Sequence, residues 1–183
     1  TLSMDIGTAS ADRVIVLAVA IATTGLTVTA TVNGVSMTRD KVQDEGTSRM
    51  TVFFSGLVTS GSGAQNVVID GGAGMNYYYV EVQAFSITGL TSNLVKATTG
   101  FNFAASSSTI AVDSGDIMIA STNDLYLTPN WSGSTEAPGT LYNSGVYQPL
   151  NACATWTIAA TNAAFTLSQT QTDRYLAAAV TFR

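Results

Sequence analysis

The chain has 183 residues, a formal net charge of −5 and only 10% charged residues. Direct nucleic-acid binding needs clustered Lys and Arg, and the seven basic residues are scattered. Because the chain has no His and one Cys, it excludes Ser-His-Asp catalysis and an intrachain disulfide, and a zinc site would lack its common ligand. Cys153 is predicted to be a small buried hydrophobe. Such a charge-poor surface favours packing against neighbours.

The first predicted element is the unbroken apolar run VIVLAVAIA at 14–22. It is too short for a membrane helix, which needs about 20 residues. The segment before it carries Asp5 and Asp12 against only Arg13, whereas a signal peptide begins with a basic segment. Its β-branched residues predict a strand. We expect Ile15, Leu17, Val19 and Ile21 to fill an inter-sheet core. The opposite, smaller face should be a flat apolar patch that a neighbouring subunit covers at Ala18 and Ala20.

Alternating segments separated by Gly- and Ser-rich turns follow along the chain. LTVTATV (26–32) ends at Asn33-Gly34, a strong hairpin signal. Further strands are predicted at 35–39, 49–57, 65–70, 76–87, 108–112, 116–122, 154–160, 164–170 and 174–182. The NWSGS segment reads as a turn, and one short helix is predicted at 91–97. This spacing predicts an all-β fold, an antiparallel two-sheet sandwich that is jelly-roll-like, with eight or more strands.

Two segments share one plan, a turn with Asp followed by an apolar strand. They are IGTASADRVIVLAVA (6–20) and IAVDSGDIMIA (110–120). We therefore expect a single domain over 1–183 with two pseudo-repeated halves, 1–90 and 101–183. Two halves of about four strands each would build one eight-stranded jelly roll.

The closing strand, 174–182, also alternates between two faces. Its larger face carries Leu176, Ala178, Val180 and Phe182, and its smaller face carries Tyr175, Ala177, Ala179 and Thr181. We expect the larger face to fill the core between the sheets.

The strand at 76–87 has two unlike faces. The face predicted to join the core carries Tyr78, Val80, Val82 and Ala84. The other face carries Tyr77, Tyr79, Glu81 and Gln83. That polar and aromatic row could be a solvated surface, a subunit contact or a platform that stacks sugar rings.

The segment RDKVQDEGTSR (39–49) concentrates charges of both signs. Mixed charges in a hairpin connection are typical of an exposed segment. A docking loop that sets the register of a partner is the functional alternative. Its candidate interface residues are Arg39, Lys41, Asp44, Glu45 and Arg49.

Neither a metal site nor an active site is predicted, and no cofactor is expected. Calcium would be the best metal option, in the Gly-containing turns of Asp70, Asp113 and Asp116, but Asp before Gly is first of all turn chemistry. A paired-carboxylate glycosidase has candidates by residue type alone. These candidates are Glu81, Asp116, Asp124 and Glu136.

The order of these motifs resembles a β-sandwich domain of tailed-bacteriophage virion structural proteins. The resemblance rests on DIGTASADRVIVLAVA, VTATVNGVSMT, MTVFFSGL, YYYVEVQAFSITGL and RYLAAAVTF, and it covers nearly the whole chain. It implies a structural appendage or decoration of the capsid or tail. The charged segment 39–49 has no counterpart in the family pattern.

The expected function is therefore that of a non-enzymatic capsid decoration protein on the surface of the phage particle. It would form a homotrimer and bind the major capsid protein or other virion proteins, without nucleic acid or membrane. One alternative is a tail-fibre carbohydrate-binding module that stacks sugars on Tyr77, Tyr79, Trp131 and Trp156. A polysaccharide-cleaving enzyme is the other.

Overall fold

The computed structural model describes residues 1–75, 80–92, 94–102, 107–124, 130–133, 140–143, 152–170 and 175–183. The strands are β1 (Leu2–Asp5), β2 (Val14–Ile21), β3 (Thr29–Val32), β4 (Val35–Ser36), β5 (Thr38–Asp44), β6 (Met50–Leu57), β7 (Ala64–Asp70), β8 (Val80–Ile87), β9 (Ala97–Asn102), β10 (Ser107–Val112), β11 (Ile117–Asp124), β12 (Asn130–Gly133), β13 (Thr140–Asn143), β14 (Ala152–Thr157), β15 (Asn162–Thr170) and β16 (Tyr175–Phe182). In the described ranges one 3₁₀ turn is present, at Gly72–Gly74. Within these ranges no helix is long and apolar enough to cross a membrane.

The strands form four antiparallel sheets. The N-outer sheet has the order β1-β7-β3-β4, and the N-inner sheet has the order β5-β6-β2-β8. The C-inner sheet has the order β13-β14-β11-β16-β9, and the C-outer sheet has the order β10-β15-β12. This architecture confirms the predicted all-β sandwich class. There are four sheets where two were predicted, because each half of the chain builds a complete sandwich of its own.

Three apolar clusters hold the four sheets together as layers. The first fills the N-sandwich, between the N-outer and N-inner sheets. The second fills the C-sandwich, between the C-inner and C-outer sheets. The third, here called the inter-sandwich cluster, joins the two inner sheets face to face. It contains Val14, Val16, Ala18, Phe53, Phe85, Ile87, Ile119, Cys153, Ala178, Val180 and Phe182.

Strand β2 lies at the centre of this stack, and all eight of its residues are buried. As predicted, its larger face packs into the N-sandwich core, with Ile15, Leu17, Val19 and Ile21. Its smaller face packs against the C-inner sheet. An unbroken apolar run is therefore a strand that is covered on both sides.

The closing strand β16 has the opposite orientation to the one predicted. Its small residues Ala177 and Ala179 face the C-sandwich core, and its larger residues Val180 and Phe182 lie in the inter-sandwich cluster. The expectation for this strand was wrong because side-chain size alone does not select the face. Bulky residues of other strands, such as Trp131 and Trp156, fill the C-sandwich core, so only small side chains fit beneath them.

The two halves of the chain have the same strand order. The sequence β1-β7-β3 in the N-outer sheet corresponds to β10-β15-β12, and β5-β6-β2-β8 corresponds to β13-β14-β11-β16. The register also corresponds, since Val14 pairs with the last residues of β6 and β8 just as Ile117 pairs with the last residues of β14 and β16. This correspondence favours the pseudo-repeat inferred from the sequence; the single-domain assignment stays a prediction.

The turn before each central strand repeats as well, but its buried side chain differs. The Arg13 N–H donates to the Ser10 carbonyl and the Asp116 N–H donates to the Asp113 carbonyl. The buried Arg13 guanidinium donates to five backbone carbonyls at 2.8–3.3 Å, those of Ile6, Gly7, Val58, Ser60 and Gly61. Asp116 is instead a buried acceptor for Lys96. The same backbone turn therefore carries a buried arginine in the first half and a buried aspartate in the second, because each charged side chain has its own partners.

The local residue patterns predicted some elements correctly and others wrongly. Asn33 and Gly34 both have positive φ, +49° and +78°, and join β3 to β4 in the predicted hairpin. The helix predicted at 91–97 is wrong, because none of the described residues in this range is helical and Ala97 already begins β9, which pairs with β16. The turn predicted at NWSGS is also wrong for residues 130–133, which form β12.

The side chain of Asn123 forms hydrogen bonds between the two sandwiches. Asn123 of β11 is fully buried, and its Nδ2 donates to the carbonyls of Ile21 and Met50, both at 2.9 Å. These two carbonyls lie at paired ends of β2 and β6. Asn123 therefore fixes the register of the C-inner sheet against the N-inner sheet.

We predict that Asn123→Asp strongly destabilises the protein. The amide donor is replaced by a carboxylate that faces two carbonyl oxygens in a buried site, which should cost about 3–5 kcal/mol of unfolding free energy. Urea denaturation at pH 7 measures the change. Asn162→Asp is the matched control, because Asn162 uses its Oδ1 to accept the Ala164 N–H and a carboxylate keeps that bond. Equal stability of the two variants would contradict the proposed role of Asn123.

Candidate interaction surfaces

The small face of β2 is covered, but not by a neighbouring subunit. Ala18 and Ala20 are 0% exposed, and Ala18 packs in the inter-sandwich cluster against residues of the C-half. The expectation that these alanines contact another molecule is therefore corrected. The second half of the same chain supplies the apolar surface that the sequence called for.

The charged segment 39–49 is mainly a strand and not a long loop. Residues up to Asp44 belong to β5, the edge of the N-inner sheet, and a short hairpin leads into β6. Arg39 is exposed on this edge, whereas Arg49 is buried, with 4% exposure. Arg49 is therefore not available as a surface docking residue.

The two acidic residues of the hairpin stabilise its turn. Asp44 accepts hydrogen bonds from the Thr24 hydroxyl and from the N–H groups of Gly25 and Gly46. Burial would raise the pKa of Asp44, but these hydrogen bonds outweigh it and lower that pKa. Glu45 accepts hydrogen bonds from the hydroxyls of Thr47 and Ser48. Both carboxylates have structural partners within the chain.

Lys41 and Gln43 point toward the other sandwich. They pair with Phe53 and Thr51 of β6, so they share the face of the inter-sandwich cluster. Their side chains lie over Gly100 of β9, where they leave no room for a Cβ atom. Lys41 is half-buried and helps to seal the junction between the halves.

Asp40 lies at a β-bulge between Arg39 and Lys41. Burial raises the pKa of Asp40 to about 6, although a hydrogen bond with Ser55 lowers it in part. Its Oδ2 has no hydrogen-bond partner. A partly buried carboxylate with one oxygen that lacks a hydrogen bond is a cost to the folded state at neutral pH.

Strand β8 keeps the two faces that the sequence predicted. Val80, Val82 and Ala84 pack against the N-sandwich core. Glu81 and Gln83 pair with Ala20 and Ala18 of β2, so they lie on the face turned toward the C-inner sheet. Tyr77, Tyr78 and Tyr79 lie outside the described residues.

The tryptophans that were candidates for sugar stacking are core residues. Trp131 and Trp156 are 6% and 2% exposed, and their rings meet edge to face with centroids 6.2 Å apart. Such buried rings offer no face to a ligand, so this part of the carbohydrate hypothesis is corrected. Cys153 is buried as predicted, and desolvation raises the pKa of its thiol to about 12.

The candidate calcium residues have other roles. Asp70 Oδ1 accepts the Gly72 N–H at 2.8 Å, which is turn chemistry. Asp113 and Asp116 form ion pairs with Lys96 at 2.8 and 2.5 Å, and Arg183 pairs with Asp113 at 3.0 Å. In the described part of the chain no group of three His, Cys, Asp or Glu residues could hold a metal ion. The Lys96 cluster instead ties the linker before β9 to the C-half.

A groove of about 500 Å³ opens between the two sandwiches beside β8. One wall is the end of β8, from Ala84 to Ile87, together with Thr88. The other wall comes from Ile117 and Ile119 of β11 and from Thr155 to Thr157 of β14. The sequence patterns did not predict this groove, because it depends on how the two inner sheets overlap.

No protein-family model, no curated protein and no solved structure matches the chain. The function proposed below therefore depends on the residues and the geometry described above.

We predict that Ala18→Leu destabilises the monomer itself. The larger side chain overpacks the inter-sandwich cluster, which should cost about 1–3 kcal/mol of unfolding free energy. Thermal and urea unfolding measure this cost, and Ala111→Leu, on an exposed position of β10, is the control. If Ala18→Leu changed only self-association and left the unfolding free energy unchanged, the alanine would be a subunit contact instead.

We predict opposite pH profiles for two neighbouring aspartates. The folded-state pKa of Asp40 is raised from 3.8 to about 6, so folding is progressively penalised as pH rises through this window. Asp40→Asn should be more stable than the native protein at pH 7, and this gain should shrink toward pH 4. The pKa of Asp44 is lowered, so its stabilisation is present above 3.8 and lost as pH falls. Asp44→Asn should therefore be less stable at pH 7.

Urea denaturation of the native protein and both variants between pH 3 and 8 tests this pair of predictions. Parallel pH profiles for the two variants would contradict the opposite assignment of the two carboxylates.

Proposed function

We propose that this protein is a non-enzymatic structural protein of a tailed-bacteriophage particle, a capsid decoration protein that binds and braces the head. The motif order resembles that of virion β-sandwich domains, and that resemblance supports the phage assignment. The composition supports a role in packing against neighbours, since only 10% of the residues are charged.

The observation that carries the structural role is the four-layer stack. The fully buried residues of β2 and the inter-sandwich cluster join the two sandwiches through a continuous apolar interface. Close-packed interiors transmit strain with little compression. A body of this kind suits a brace between capsid subunits, and its sheet edges and loops are the parts that would contact them.

The candidate contacts to the head are those exposed or half-exposed on the N-inner sheet. Arg39 on β5 is exposed, and Glu81 and Gln83 on β8 are half-buried. Charges at the rim of an interface, such as those of Arg39 and Glu81, mainly set the rate of encounter and its salt dependence. We propose that the protein acts as a homotrimer and that its partners are other copies of itself and the major capsid protein.

Sedimentation with purified heads tests the role. We expect the protein to co-sediment with heads of the phage that encodes it, to be present in hundreds of copies per virion, and to sediment alone as a trimer. Arg39→Ala should weaken head binding, and Ser36→Ala on β4 is the matched control on a neighbouring exposed strand. A monomer at high concentration that does not bind heads would sink the proposal.

The same preparation distinguishes the remaining functions. A dozen or fewer copies per virion would place the protein in the tail. Binding in a glycan screen that Tyr79→Ala abolishes would indicate a carbohydrate-binding module, and turnover of host polysaccharide would indicate an enzyme. Either result would overturn the decoration role.

A further inference from the structure

The two inner sheets differ at one edge. In the C-inner sheet, β16 pairs with β11 on one side and with β9 on the other. Its counterpart in the N-inner sheet is β8, which pairs with β2. Among the described residues no strand pairs with the second edge of β8. Among the described strands of the first half, β9 therefore has no equivalent.

The linker before β9 closes the β16 edge with backbone hydrogen bonds. The Lys96 N–H donates to the Thr181 carbonyl and the Ser92 N–H donates to the Arg183 carbonyl, both at 2.8 Å. Leu90 and Val95 of the same linker pack against the inter-sandwich cluster. The segment thus completes the sheet and seals the gap between the sandwiches on this side.

The corresponding gap beside β8 is the groove described above. Contacts between the inner sheets follow the repeat, because β6 packs on β16 and β8 faces β14 across the groove. Phe85, Ile87 and Ile119 line the groove and also belong to the inter-sandwich cluster. The groove is therefore a continuation of the apolar interface that already joins the two halves.

The backbone of β8 is oriented to receive a strand. Ser86 corresponds to Thr181 by register. Ser86 pairs with Ile15, the second residue of β2, and Thr181 pairs with Met118, the second residue of β11. The Thr181 carbonyl points to the linker. Alternate residues of a strand direct their N–H and C=O groups to the same side, so those of Ser86 face the open edge.

We propose that the β8 edge and the adjoining groove bind an extended strand donated by a partner chain. This strand would run antiparallel to β8, as β9 does to β16. It would carry small and β-branched residues with few charges and insert one or two aliphatic side chains into the groove. Strand addition at an exposed sheet edge is an established recognition mode, and an uncovered edge is otherwise open to non-specific pairing.

The inference rests on the proposed structural role for the source of this strand, a neighbouring protein of the assembly. The chemistry of the strand comes from the segment 90–102, whose described residues occupy the equivalent edge. That segment, LTSNLVKATTGFN, has one charged residue. Strand β8 itself, VEVQAFSI, has one charged residue, Glu81. Because the edge carries little charge, a donor strand with little charge fits it.

A labelled synthetic peptide with the sequence of residues 90–102 provides the probe. Fluorescence anisotropy with the whole protein should show saturable binding. Ser86→Pro removes an outward N–H and leaves the pairing with β2 in place, because proline is tolerated on an edge. It should weaken binding at least about tenfold, a loss of about 1.4 kcal/mol. Ser86→Ala keeps the N–H and should bind like the native protein.

A second variant protects the test against a folding defect in Ser86→Pro. Thr157 is exposed on the opposite wall of the groove, and Thr157→Trp fills the groove without altering the β8 backbone. It should also weaken peptide binding. A peptide with proline at the positions of Ala97 and Thr99 loses ladder donors and should bind poorly to every form of the protein.

Three results would overturn the proposal. The first is that no peptide binds at millimolar concentration. The second is that the native protein and both variants, Ser86→Pro and Thr157→Trp, bind the peptide equally well. The third is that the native protein is a dimer that Ser86→Pro dissociates, which would assign the edge to a second copy. Peptide binding by a protein that does not bind heads would support the edge site and reject the virion role. Head binding without peptide binding would do the reverse.

Discussion

The structure depends on one constraint, that both inner sheets are apolar on both faces and must be covered on both. Strand β2 shows this constraint most directly, because every residue from Val14 to Ile21 is buried. Full burial of a Val, Leu or Ile side chain contributes roughly 1.5–3 kcal/mol, so an inner sheet with one face in water would forfeit much of its stabilisation. Stacking two sandwiches through their inner sheets covers all four faces with one chain.

Three polar side chains inside the stack have hydrogen-bond partners that fix the geometry of the layers. Arg13 binds five carbonyls and so holds together the loops at one end of the N-sandwich. Asn123 spans the two inner sheets, and Asp116 anchors the linker through Lys96. Apolar contact between flat sheets is non-directional, whereas these hydrogen bonds are directional. The inter-sandwich cluster therefore provides the attraction between the two halves. The buried polar side chains select one register of the inner sheets against each other.

Sequence patterns predicted the elements better than the surfaces. Alternation located the central strands, Asn33-Gly34 located a hairpin, and the repeated plan of 6–20 and 110–120 corresponds to equivalent turns. The site residues were less predictable. Arg49, Trp131 and Trp156 are buried, although Arg is usually exposed and Trp is common in binding sites. Ala18 and Ala20 were expected under a neighbouring subunit and lie under the second half of the chain. Burial of these residues depends on tertiary contacts between separate strands, which periodicity does not record.

The sequence by itself determined that this chain is all-β, that it lacks the residues for His-based catalysis, and that the small face of β2 must be covered. These follow from residue type and from a period of two, which are local properties. Only the tertiary structure decided what covers that face, which way β16 turns its large residues, and which inner-sheet edge has no pairing strand among the described residues. Those outcomes depend on which apolar face packs against which, and that pairing of faces is set only when the four sheets pack together.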